Sequence, residues 1–91
     1  MAGVRSFTDL KAWQEAHRLV LMVYQETKSF PTEDRFGIVS QMRRAAFSIP
    51  ANIAEGFKRR GIKDKAHFYN IAEGSLEELK YFFILSKDLK Y

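Results

Sequence analysis

Cysteine is absent from this sequence, and with it go disulfides and thiolate metal sites. A chain without cysteine suits a reducing compartment, so the cytoplasm is the expected location. Histidine is scarce: only His17 and His67 occur, in no metal-ligand spacing and in no HExxH pattern. His17 falls among apolar positions of its segment and reads as a core histidine, and His67 reads as a partly exposed helix residue. There is no GxSxG elbow and no phosphate-binding glycine loop. No nucleophile–base pair can be assembled, so no catalytic residue is assigned, and no enzyme activity, cofactor, metal or small-molecule substrate is expected. Long apolar runs are missing too. The longest in the first half, Leu19 to Val23, lies between Arg18 and Gln25, far short of the ~20 residues of a membrane span. The start, MAGVRSFTDLK, lacks the apolar stretch of a secretory signal. Sustained period-two alternation is lacking as well, which argues against a sheet.

What remains is a globular composition, 46% apolar and 14% aromatic in 91 residues, read as one domain over residues 1–91. Proline and glycine are few, and two of them punctuate the chain. Pro31 and Gly61 divide it into three long helical patterns, at about 7–30, 33–59 and 63–90. In the first, Leu10, Trp13, His17, Val20, Tyr24 and Thr27 recur at steps of three and four. Ser6 and Asp9 form a capping-box pattern ahead of it. In the second, Val39, Met42, Ala46, Ile49, Ile53 and Phe57 share an arc of roughly 80°. In the third, Phe68, Ile71, Ala72, Leu76, Leu79, Phe82, Phe83 and Leu89 make the apolar face, while Gly74 marks either a close helix contact or simple tolerance. The fold class is all-α: an up-down antiparallel helical bundle.

The second pattern runs through Pro50 without changing phase. A single helix kinked at Pro50 is therefore expected, because proline removes one backbone hydrogen bond and crowds the preceding turn. Ser48 and Asn52 are placed to serve the backbone that the proline frees. Arg44, Ser48, Asn52, Glu55 and Arg59 form the polar face opposite the apolar arc. Two readings stand: an ordinary solvated face on a bend that wraps the bundle, or a surface with Arg44, Ser48, Pro50, Asn52, Glu55 and Gly56 turned toward a neighbouring chain. In the second reading Arg43 or Arg44 pairs with Glu55 across the interface.

The net charge of +4 is local. Residues 1–57 carry seven basic and six acidic groups and residues 66–91 carry three and four, whereas KRRGIKDK, Lys58 to Lys65, holds five bases and one acid. Cations at a helix end complement its dipole, which accounts for one or two of them. Five together suit the phosphates of RNA or DNA, read by shape and charge without sequence readout. Lys58, Arg59, Arg60, Lys63 and Lys65 are the candidates, with Arg43 and Arg35 extending the patch. Three helices of about 36 Å form a slender bundle, yet Met22, Phe47, Tyr81 and Ile84 fall off the apolar faces. Apolar groups spread so widely point to self-association or a missing partner helix.

Three runs, FTDLKAWQEAHRLVLMVYQETKSFP, DRFGIVSQMRRAAFSIPANIAEGFKR and GSLEELKYFFILSKDLKY, resemble the four-helix-bundle proteins encoded in intervening sequences of bacterial large-subunit ribosomal RNA genes. Accessory variability proteins of diversity-generating retroelements are relatives. SIPANIAEG, preceded by QMRRAA, is the most specific part, and the resemblance covers the chain from about Phe7. It implies a homopentamer with a central opening and a basic surface. It also implies a fourth helix beyond Tyr91, so that the chain is either truncated or ends early in nature. The implied partners are RNA or DNA, or a reverse-transcriptase-like protein; the alternative is a protein–protein scaffold with no nucleic-acid role.

Overall fold

The computed structural model describes residues 3–91, and its regular elements are all helical. Three α-helices carry the architecture: α1 (Lys11–Thr27), α2 (Ser40–Lys58) and α3 (Ile62–Asp88). Contacts between their ends fix the directions. Arg43 at the start of α2 reaches Thr27 at the end of α1. Lys65 at the start of α3 reaches Gly56 at the end of α2. Ser86 near the end of α3 touches Met42 near the start of α2. The helices therefore run up, down and up.

The boundaries differ from the periodic patterns at the starts of α1 and α2. The Ser6–Asp9 capping box forms, but it closes a separate 3-10 turn, Phe7–Asp9. Leu10 is extended (φ −74°, ψ 128°), and α1 begins only at Lys11. Gln14 Nε2 donates to the Thr8 carbonyl at 2.9 Å, and Phe7 meets Trp13 edge-on, so the turn folds back onto the helix. The expected second helix from residue 33 is likewise subdivided. A 3-10 turn, Thr32–Asp34, leads into a π-type turn, Arg35–Val39, in which Gly37 leaves helical geometry (φ −105°, ψ −112°). The α-helical run itself is continuous from Ser40 through Pro50 to Lys58. Pro50 is buried, and Asn52 Nδ2 donates to the Ser48 carbonyl at 2.8 Å rather than to the Ala46 carbonyl that Pro50 leaves without its donor.

The core is centred on α2. Met42, Ala45, Ala46 and Ile49 pack with Ala16 and Val23 of α1 and with Ala72 and Leu79 of α3. Met42, Leu79 and Val23 are the largest fully buried side chains, each worth about 1.5–3 kcal/mol by transfer from water. The short side chains of α2 let α3 come close. Gly56 is buried against Tyr69, and a Cβ there would lie 2.5 Å from a Tyr69 ring carbon. Gly74, by contrast, faces open space. α2 packs along both neighbours, while α1 and α3 hardly meet.

The apolar arc of α2 is buried or half-buried as its periodicity implies. That of α1 is rotated. Its core line runs through Ala16, Leu19, Val20, Val23 and Thr27, and His17 is exposed, its ring stacked on Trp13 at 5.1 Å. The core-histidine expectation is thus overturned. Residues 10 to 27 carry apolar groups over a wide arc, and contact with α2 selects the edge that contains the small Ala16. Met22, Phe47, Tyr81 and Ile84 are 47%, 47%, 57% and 59% exposed, as their positions off the apolar faces imply.

Candidate nucleic-acid interface

The junction between α2 and α3 carries the basic segment, and its five cations divide into two kinds. The last carbonyls of a helix lack intrahelical donors and gather negative potential. Lys65, at the start of α3, answers that need: its Nζ donates to the carbonyls of Gly56 (3.1 Å) and Phe57 (3.0 Å). Arg59 leaves helical geometry (φ −68°, ψ 149°), and its guanidinium pairs with Glu55 at 3.0 Å and lies 4.6 Å from the Phe68 ring centre. These two side chains tie the junction together. Lys58, Arg60 and Lys63 are exposed and form no ion pair or hydrogen bond among the described residues. Three charges thus project from one short turn.

Arg43 lies elsewhere. It sits fifteen residues before Lys58 on α2, about 22 Å along the axis. Its Nε donates to Thr27 Oγ1 at 3.0 Å, its Nη2 to the Tyr24 carbonyl at 3.3 Å, and its guanidinium lies 4.5 Å from the Tyr24 ring centre. Arg43 therefore caps the end of α1, much as Lys65 caps α2.

The polar face of α2 turns toward α3 of the same chain. Ser48 Oγ accepts from Ser75 Oγ at 2.9 Å and from Asn52 Nδ2 at 3.0 Å, and both Ser48 and Asn52 are half-buried. Arg44 Nη2 lies 3.7 Å from Glu78 of α3 and donates to Gln41 at 3.2 Å. Glu55 pairs with Arg59 one turn on. Arg44, Ser48, Asn52 and Glu55, read from the sequence as candidates for a neighbouring chain, thus each have a partner within their own chain, while Pro50 is buried and Gly56 lies under Tyr69.

Two features escaped the reading of the sequence. The capping role of Lys65 had a local signal: a cation shortly beyond the end of a helix is a common partner for its terminal carbonyls. The second is a cleft of about 360 Å³ beside the start of α2, lined by Tyr24, Arg35, Phe36, Arg43, Arg44 and Phe47. Its signal was the neighbouring pair Arg35–Phe36 just before Gly37, a cation and an aromatic on a turn. Another groove, of about 370 Å³, opens between the first turn of α1 and α3, with Leu10, Ala12, Ile53, Tyr69 and Ala72 on its walls. Among the described residues no three His, Asp or Glu side chains gather to hold a metal ion, and no helix is long and apolar enough to cross a membrane.

Comparison with protein families matches residues 8–91 to the family described as the 23S rRNA-intervening sequence protein. No curated protein matches the chain.

Proposed function

The chain belongs to the 23S rRNA-intervening sequence protein family, and from that premise we propose that it acts without catalysis, presenting the α2–α3 junction to nucleic-acid phosphates. The observation that carries this reading is the unpaired trio Lys58, Arg60 and Lys63 beside the internally engaged Arg59 and Lys65. Cations already held by carboxylates or carbonyls add little to an outside anion; exposed ones release counterions when phosphates approach. Each neutralised phosphate contributes about −0.7 to −0.9 to the slope of log affinity against log salt, so three cations give about −2 to −3 per chain. Contact is through backbone charge and shape rather than base identity.

Self-association belongs to the same proposal. Leu21, Met22, Tyr81 and Ile84 are all more than 45% exposed, and further copies of the chain would cover such surface. Repetition of the junction in an assembly then multiplies weak contacts. The pentamer implied by the family resemblance is the proposed form.

A salt titration of binding to a structured RNA, read by fluorescence anisotropy, tests the charge reading. The chain should bind at low salt with the slope above, and Lys58→Gln, Arg60→Gln and Lys63→Gln together should weaken binding at least about tenfold. Absence of binding at low salt, or a flat response to salt, rejects it. The exposed apolar side chains also favour a second reading, a scaffold that docks another protein such as a reverse-transcriptase-like enzyme. That reading gains if the triple variant still assembles with a protein partner and RNA binding is absent throughout.

A further inference from the structure

We propose that the cleft beside the start of α2 is a second nucleic-acid site, one that takes unpaired bases. The proposal rests on nucleic acid being the partner and extends it from phosphates at one end of α2 to bases at the other. Phe36 is 88% exposed, on the turn that Gly37 breaks open. Phe47 also lines the cleft and is 47% exposed. Arg43 also lines the cleft, stacked on Tyr24 and fixed by two hydrogen bonds, which holds its planar guanidinium in place. Arg35 and Arg44 stand at the rim. The volume, about 360 Å³, lies at the small end of the range for ligand sites.

Chemistry selects the occupant. Aromatic faces beside guanidinium groups suit bases that stack while their phosphates meet cations. A duplex hides its base faces within its own stack and leaves Phe36 nothing to cover. No carboxylate lines the cleft; Glu78, near its edge, is held loosely at 3.7 Å by Arg44. A second copy of this chain, with its net charge of +4, brings the wrong sign of charge to three arginines. An unpaired strand brings both the planar groups and the anions.

The test compares, by anisotropy with the full chain, a labelled 12-nucleotide oligoadenylate with an abasic oligomer of equal length, in ribose and deoxyribose forms. Stacking is worth about 1–3 kcal/mol per base, so the intact strand should bind about 5- to 150-fold more tightly than the abasic one. Phe36→Ala and Phe47→Ala should erase that preference and leave abasic binding unchanged. Phe36 is nearly bare, so its variant keeps the fold, which circular dichroism verifies. Arg35→Gln should weaken both strands and lower the salt slope by about 1. Equal affinity for the two strands, or a preference that survives Phe36→Ala, overturns the proposal. So does a labelled peptide of alternating Glu and Phe that binds more tightly than oligoadenylate, since that makes the cleft a protein-docking site. Duplex or structured RNA bound through Lys58, Arg60 and Lys63 with no base preference defeats this site alone. A base preference that persists while neutralising those three leaves structured RNA bound as before defeats only the junction's role. Ribose and deoxyribose strands that differ in affinity identify which nucleic acid the cleft prefers, with the proposal upheld in either case.

Discussion

The two sides of α2 are built to different standards. Toward α3 the helix presents Ala45, Ser48, Ile49, Asn52 and Gly56, and the seam is closed: Leu79 is fully buried, Ser48 joins Ser75 and Asn52, and Tyr69 lies over Gly56. Toward α1 the helix is held by Ala16, Val23 and the Arg43 clamp, and α1 never closes onto α3. The difference shows that small residues in α2 close tightly on α3, while α1 is held to α2 alone and the flank between α1 and α3 stays open. A stable pair of helices can thus carry a third whose outer surface remains available.

Substitutions that strike the closed seam should have the largest effects. Leu79→Ala should lower unfolding stability by about 2–5 kcal/mol, whereas Gln25→Ala, at an exposed position of α1, should change it by no more than about 0.5 kcal/mol. Denaturant melts at a single chain concentration make the comparison, and equal losses would erase the distinction between the two sides. Gly56→Ala comes next. The added methyl group meets the Tyr69 ring and should cost about 1–3 kcal/mol, while Gly74→Ala, which meets nothing, should be neutral or stabilising by up to about 1 kcal/mol.

The junction cations sharpen the contrast at lower energy. Lys65→Gln removes the cap on α2 and should cost about 0.3–1 kcal/mol with little change in the salt slope of RNA binding. Lys63→Gln should leave stability within about 0.5 kcal/mol and lower that slope by about 1. The smallest effect is expected at Tyr91. Its hydroxyl donates to Asp34, and this hydrogen bond, with burial and the charges of Asp34 and Glu33, raises its pKa above the ordinary 10.0. The protonated phenol is therefore favoured in the folded chain. Its contribution to stability is whole below pH 10 and is lost as pH rises through the raised value. Ultraviolet titration should find Tyr91 ionising above its ordinary range, and Asp34→Asn should return it toward that range.

The helical class, the three helices and the buried arc of α2 were legible because apolar spacing at 3.6 residues reports them directly. The exact face of α1 was not. Trp13, His17 and Tyr24 widen its apolar arc, and only the position of α2 decides that Ala16 and Val23 lie inside. The break at Gly37 was hidden because acidic groups after Thr32 read equally well as a helix start and as a short turn. Ser48 and Asn52 looked like surface groups because polarity says nothing of whether a hydrogen-bonding partner waits on another helix. The five clustered cations were visible at once, yet their division into two engaged and three free depends on where the Gly56 and Phe57 carbonyls and Glu55 lie. Charge can be counted along a chain, but its availability is set by tertiary neighbours.

We propose above all that other copies of the chain cover the open flank of α1 and α3. Light scattering across a dilution series, beside mass spectrometry of the same sample, measures this directly. The predicted result is a particle several times the 10.6 kDa chain mass that dissociates on dilution or when Met22 and Ile84 are both changed to Gln. A particle of 10.6 kDa at the highest concentration, with cooperative unfolding, would contradict it.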